Sequence, residues 1–370
     1  MREKIITELA EYDLVLEETV RNFGGWVNAH THLDRANTIS PKYLAHVNID
    51  PMEAASFPLR VKQNFVGYLH TGLAYQVENL YKRMRKELER MISLKVREVI
   101  SFFDATPDIG LVAIEQALKL KEEFRGKIAL KVAVSPIFGF KNPAEDPDRW
   151  EIYKEAAKVA DILGALPSRD ENEGRIGFDG HIRRVLELGH ELHKETHFQI
   201  DQNNDPREKE TENLIEAIRW LGAPKVEGSS EPTVWAVHVI SPSCYPEDRF
   251  QRLIEGLLKY NIGVICCPSA AISMMQRRPL TSSIHNSIAR ILEMMEAGVP
   301  VKIGTDNICD IFIPNGDGKV ESEVWVAANL LRFYHTVVWA KVGAGISLND
   351  VDREIIRRAL HQVKEEWKEL

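Results

Sequence analysis

The feature that most constrains this chain is an alternation of short β-rich runs with longer helical ones. The runs are Trp26–Thr31, Glu98–Phe103, Ala129–Val134, Asp161–Ala165, Thr196–Asp201, Val234–Ile240, Gly263–Cys267 and Val301–Thr305. Between them lie helical patterns such as Tyr75–Leu94, Gly110–Phe124, Asp148–Val159, His181–His193, Lys209–Leu221, Asp248–Tyr260 and Ser287–Glu296. Val320–Ala340 and Val351–Glu369 follow the last run. A helix between two strands returns the chain to the edge it left, so the strands it joins are parallel. Eight such units predict an α/β protein of the (β/α)8 TIM-barrel class. An open doubly wound sheet would satisfy the same alternation, but no Gly-x-Gly-x-x-Gly turn follows the first run.

A chain of 370 residues, 44% hydrophobic, can bury one large barrel core or two ordinary ones. No linker, repeat or low-complexity stretch divides it, which predicts one domain over residues 1–370. Residues 1–23 read as a polar helix or arm. Residues 35–96 form a long first βα connection: an extended, Pro-containing segment, Ile39–Phe65, and then a helix. A long loop at this place in a barrel covers the mouth of the site.

The net charge of −8, with no basic block, argues against a nucleic-acid binder. Four cysteines, Cys244, Cys266, Cys267 and Cys309, with no Cys-x-x-Cys pair, suit a reducing compartment. Met1–Ala10 carries Glu3 and Glu8 and lacks the apolar core of a signal peptide, so a cytoplasmic protein is expected. The apolar stretch Val324–Ile346 holds Arg332, His335 and Lys341 and reads as a buried helix rather than a membrane span. A small-molecule partner is expected, with no membrane; self-association is left open.

Barrel chemistry sits at the C-terminal strand ends. The first strand ends in His30 and His32, which share a face because strand side chains repeat every two residues. The sixth carries His238, and the eighth ends in Thr305-Asp306-Asn307. Strands one and eight become neighbours when a barrel closes. Two imidazoles and a carboxylate there can hold a divalent metal that activates water, with His238 as a further ligand or a proton carrier.

Together these residues resemble the amidohydrolase superfamily, and within it the bacterial cytosine deaminases. Ala29-His30-Thr31-His32-Leu33-Asp34 resembles the first-strand metal motif, and Ala160–Pro167 the fourth strand. Ile200–Asp205 resembles the acidic fifth-strand motif, Ala236-Val237-His238 the sixth strand, and Glu296–Asn307 the stretch ending in the metal aspartate. The resemblance implies a hydrolase of carbon–nitrogen bonds, a deaminase or cyclic-amide hydrolase. It implies His30, His32 and Asp306 as metal ligands and His238 as a catalytic histidine beside the attacking water. No lysine ends the fourth strand, so one divalent ion is implied, zinc first and iron second.

The departures from that pattern are specific. Gln199 stands where the fifth-strand histidine ligand belongs, and Gln202 where the proton-shuttling glutamate belongs. A carboxamide has no proton to exchange at neutral pH. His197 lies on the face of Gln199 but ~6.5 Å deeper. Asn307 replaces a substrate-contacting aspartate, Ile137 falls near a substrate-reading glutamine, and Asp201 belongs to the substrate-contacting set. Cytosine is therefore disfavoured as substrate, and a catalytically impaired or non-catalytic barrel that binds a small molecule or a partner is the alternative. Only 29 residues precede His30 and about 60 follow Asp306. The β-sandwich usual in the superfamily is thus not expected, leaving a barrel alone as in adenosine deaminases. Adjacent Cys266 and Cys267 are expected to pack in the core. Arg277-Arg278 and Ser282-Ser283 are candidates for an anionic substrate group or a solvated loop. Gly316-Asp317-Gly318 reads as a turn, in a loop, Ile311–Lys319, that helps close the site. His181, His190 and His193 are expected at the surface.

Overall fold

The computed structural model describes residues 2–274 and 287–368; Arg277, Arg278, Ser282 and Ser283 lie outside the described residues. Eight strands run in the order of the chain, all parallel: β1 (Trp26–Thr31), β2 (Val96–Asp104), β3 (Ala129–Ser135), β4 (Ile162–Ala165), β5 (Glu195–Ile200), β6 (Val234–His238), β7 (Ile262–Cys266) and β8 (Val301–Ile303). They form a nearly closed barrel with helices around it, the (β/α)8 architecture that the alternation predicts. Most strand residues are buried, because one face meets the barrel interior and the other the helices.

Closure occurs where the end of β8 meets β1. Thr31 and Asp306 form a parallel bridge, and the Asp306 N–H donates to His30 O at 2.9 Å. Asn28 and Thr305 are joined twice, Asn28 Nδ2 donating to Thr305 Oγ1 at 2.9 Å and Thr305 N to Asn28 Oδ1 at 3.1 Å. Gly304 makes this approach possible, since a Cβ there would lie 2.6 Å from His30 Cβ and 2.7 Å from its backbone nitrogen.

Rings fill the barrel interior. Phe102 lies 4.5 Å from the His30 ring and 6.1 Å from that of His197, and His197 lies 6.2 Å from Trp235. Gly164 leaves room for Phe102, since a Cβ on β4 would come within 2.4 Å of that ring.

Several expectations are corrected. The segment 39–65 is not extended: helices occupy Pro51–Ala55 and Leu59–Thr71. The first is started by Asp50, whose Oδ1 accepts from Met52 N at 2.7 Å, with Pro51 at the first helical position. Val320–Ala340 is two helices, Val320–Leu331 and Thr336–Gly343. Arg332 ends the first in the left-handed conformation (φ +51°), and the His335 side chain caps the second. Among the described residues no helix is long and apolar enough to cross a membrane.

His181 is buried rather than exposed, its Nδ1 2.7 Å from Asp170 Oδ2 and its ring stacked on Phe140. His193 is exposed at the end of its helix, and His190 is half-buried. Cys266 and Cys267 are both buried, and burial pushes both thiols up, away from the reactive thiolate.

Gly304→Ala is expected to force the seam apart and to destabilise the protein by about 1–3 kcal/mol, the usual cost of overpacking. Chemical denaturation measures it; an unchanged midpoint would mean that the seam tolerates a methyl group.

Candidate metal centre

His30 is the fifth residue of β1 and His32 follows the strand end, so the two-residue period sets both imidazoles on the inner face. Asp306 follows β8 by three residues and is turned inward by a left-handed backbone (φ +55°). His30 Nε2 lies 3.6 Å and His32 Nε2 3.3 Å from Asp306 Oδ1. One donor atom from each of the three residues lies within 4.8 Å of the others. His238 closes β6, also in a left-handed conformation (φ +81°), with its ring 5.5 Å from that of His30. Strained backbone of this kind persists only where the surroundings enforce it, commonly at functional sites.

The donor chemistry fits a divalent ion. Both ring nitrogens of His30, both of His238 and Nδ1 of His32 are buried without a hydrogen-bond partner. Burial, with a smaller contribution from Arg35, pushes His32 down to about 3, and burial pushes His238 down to about 4. Both are therefore neutral at pH 7, the form in which imidazole binds metal. Burial opposes ionisation of Asp306, but its contacts with His30 and His32 outweigh that and hold it well below the usual carboxylate range. Neutral imidazoles with free lone pairs around one carboxylate are the donor set of a catalytic metal site.

The remaining sequence candidates divide between cavity and scaffold. Gln199, Gln202, Asn307 and Ile137 line one cavity with His32 and Asp306, as do Phe312 and Ile313 from the loop after β8. Asn307 donates from Nδ2 to Asp310 Oδ2 at 2.6 Å. Asp201 is not part of that lining. Its carboxylate accepts from the backbone of Glu210 and Thr211, 3.0 Å each, and ties the end of β5 to the helix Glu210–Leu221. In this structure the carboxylate makes a structural contact. His197 sits beneath the site, its Nε2 2.6 Å from Glu195 Oε1, and is not among the clustered donors.

Sequence patterns did not single out the charged shell around this centre. Arg35 lines the cavity, and its Nη1 donates to both oxygens of Asp104, 2.9 and 3.2 Å away. Asp34 Oδ2 accepts from Asp104 N at 2.8 Å and from the Tyr75 hydroxyl at 3.0 Å. Burial, then the neighbouring Asp104, pushes Asp34 up to about 6. Arg83 donates to the carbonyls of Asp34, Ala36 and Ala74, pinning the turn that leaves β1. His70 reaches Asp108 with Nδ1 (2.7 Å) and Asp104 with Nε2 (3.3 Å). Lys62 and Gln63 line the cavity from the helix Leu59–Thr71. Asp34 ends the first-strand motif, Arg35 follows it and Asp104 ends β2. Lys62, Gln63, His70, Tyr75 and Arg83 lie in the long first connection, and Asp108 follows β2, none of them in a motif.

Known proteins resemble this chain at low identity. No family model matches it. An uncharacterized protein from Haemophilus influenzae is 28% identical over 289 residues, 78% of this chain and 97% of that protein. A pterin deaminase from Rhizobium rhizogenes is 20% identical over 66% of this chain, which spans about half (52%) of that relative. Among solved structures, 5-methylcytosine deaminase from Klebsiella pneumoniae superposes with a TM-score of 0.71 at 20% identity, covering 90% of this chain and 82% of that one. N-isopropylammelide isopropylaminohydrolase from Burkholderia multivorans gives 0.64 at 16% identity, covering 87% and 74%. These neighbours are named as a deaminase and an aminohydrolase, and at these identities the likeness shows the fold alone.

The His70 contacts have a consequence for stability. Burial disfavours the imidazolium, but hydrogen bonds to Asp104 and Asp108 outweigh it and push His70 up to about 9. The unfolded value is ~6.5, so the folded state holds this proton more tightly. The stabilisation is whole below about pH 6.5 and is lost as pH rises through about 9. Denaturation midpoints should therefore fall between about pH 7 and 10, and fall less in His70→Gln; equal slopes would count against a charged His70.

Proposed function

We propose that this protein is a metal-dependent hydrolase of a carbon–nitrogen bond in a small molecule, a deaminase or a cyclic-amide hydrolase. One observation carries this reading: buried, unpartnered imidazole nitrogens of His30 and His32 gathered around Asp306 at the mouth of a barrel. The activities named for the structural neighbours, on 5-methylcytosine and N-isopropylammelide, are of the same class and support it.

His30, His32 and Asp306 would hold one divalent ion, zinc or iron, with Gln199 on the same cavity wall as a weaker oxygen donor. When bound, such an ion lowers the pKa of water and polarises the carbon under attack. The chain's own residues do the rest. Ile137, Leu166 and Phe312 give the cavity apolar walls that limit bulk water. Asn307, with its amide nitrogen held by Asp310, leaves its carbonyl oxygen to accept from a substrate N–H. His238, whose ring lies 5.5 Å from that of His30, would accept a proton from the attacking water as the new carbon–oxygen bond forms. The carbon–nitrogen bond then breaks, and the leaving nitrogen takes up a proton of that water. Gln202 can orient the leaving group but cannot carry its proton, so the transfer runs through His238, solvent or the substrate itself.

Gln199 and Gln202 also favour a second reading, a barrel that binds a small molecule or partner without turnover. The two separate cleanly by experiment. Protein grown with zinc or iron should carry about one equivalent of metal per chain, and a His30→Asn/His32→Asn double variant should carry none. Turnover should be found in a panel of aminopyrimidines, pterins and cyclic amides, and Asp306→Asn should lower it about a hundredfold or more. Metal-free native protein would sink the hydrolase reading. Stoichiometric metal without turnover of any panel member would favour the binding barrel.

A further inference from the structure

We infer that the cavity takes an anionic molecule: Lys62 and Arg35 form a cationic wall that binds a carboxylate or ring oxyanion of the substrate. This deepens the hydrolase reading and rests on it for the bond that is broken, though not for the binding itself.

Three observations point the same way. First, Lys62 is a buried ammonium, 8% exposed, that forms no salt bridge among the described residues. Its Nζ donates to two backbone carbonyls, Phe312 O at 3.1 Å and Ala55 O at 3.4 Å. An ammonium has three N–H groups, so one remains for a ligand. Asp310 and Asp306 act on this ammonium only through space, without a direct ion pair, so an anion that takes the free N–H offsets the cost of burial. Second, Arg35 lines the same cavity, and both cations lie against Phe312. The Arg35 guanidinium carbon is 5.4 Å and the Lys62 nitrogen 5.7 Å from the centre of that ring. Asp104 takes Nη1 of Arg35, while its buried Nε is unpartnered. Third, among the described residues the ionised lining of the cavity is Arg35, Lys62 and Asp306; Arg35 is paired with Asp104 behind it and Asp306 is turned to the histidines, which leaves Lys62 without a direct ion pair. The other polar walls are carboxamides, Gln63, Gln199, Gln202 and Asn307, with Ser273. Asp310 lies behind the wall with its carboxylate turned to Asn307 and to the backbone N–H groups of Phe312 and Ile313.

A neutral heterocycle would leave the free Lys62 N–H without an acceptor. A ring bearing a carboxylate, or one that ionises to an oxyanion, would set its charge against Lys62 and Arg35 in the cavity that His32 and Asp306 also line. The ligand class is therefore an acidic nitrogen heterocycle or acidic cyclic amide.

The test uses the full chain, freed of metal with chelator so that binding to an ion does not contribute. Calorimetric titration compares matched pairs, cytosine against 5-carboxycytosine and pterin against pterin-6-carboxylate. The carboxylated member of at least one pair should bind about tenfold or more tightly, the scale of one charge-assisted hydrogen bond. Lys62→Met should abolish the preference and Lys62→Arg should retain it, with thermal unfolding used to check that both variants fold. Equal binding within both pairs, binding by neither member, or a preference that survives in folded Lys62→Met would each overturn the inference. The wild-type comparison decides the matter even where Lys62→Met fails to fold. A carboxylate preference in a protein that never binds metal would sink the hydrolase reading alone. Metal-dependent turnover of neutral rings without that preference would sink only the anion site.

Discussion

The seam between β1 and the end of β8 is the contact on which the rest of the structure depends. The hydrogen bond from Asp306 N to His30 O, reinforced by Thr31 Oγ1 donating to Asp306 O at 2.7 Å, closes the barrel. The same bond brings the Asp306 carboxylate against His30 and His32, although these residues lie far apart in the chain. Closure and assembly of the donor cluster are therefore one event. A helical protein could lose one contact and keep its site. Here a loosened seam would separate the carboxylate from both imidazoles at once.

Beneath the seam, packing holds the donors in place without hydrogen-bonding them. Phe102 backs the His30 ring, and Gly164 makes room for Phe102. The imidazole nitrogens are left with their lone pairs free, which is unfavourable in an empty core and useful around a cation. Outside the donors, charge does the positioning. Asp34 and Arg35, directly after the histidines, are locked to Asp104 on the neighbouring strand, and Arg83 grips the turn from behind. His70 and Lys62 come from one helix: the first anchors it to Asp104, and the second faces the cavity. One inserted segment thus supplies both a brace for Asp104 and a cation on the cavity wall.

Legibility differed by kind of residue. His30 and His32 could be read because a strand repeats every two residues, and Asp306 because strand ends gather in a barrel. Asp201 shows the limit of that logic. It too ends a strand, but a left-handed turn (φ +53°) sends its carboxylate to the amides of the following helix. His181 sits in a helical pattern that looks exposed, yet it faces Asp170 across a loop whose course no local pattern records. The helices Pro51–Ala55 and Leu59–Thr71 are hard to read locally because Pro51 and Pro58 suit extended chain, yet Pro51 at the first helical position and Pro58 just before a helix are equally compatible with helix starts.

By itself the amino-acid sequence determined the alternation, hence the barrel and the first-strand histidine pair, because both follow from local periods of two and 3.6 residues. It also determined that carboxamides, Gln199 and Gln202, stand on and just after β5. Tertiary structure alone decided which polar side chains face the cavity and which brace the scaffold. It put Gln199, Gln202 and Asn307 on the wall, turned Asp201 away, and brought Lys62 over the mouth from a connection with no readable pattern. The physical reason is that facing depends on single backbone turns and long-range pairs, such as Arg35 with Asp104 and Asp306 with His30, whose partners are adjacent only after the barrel has closed.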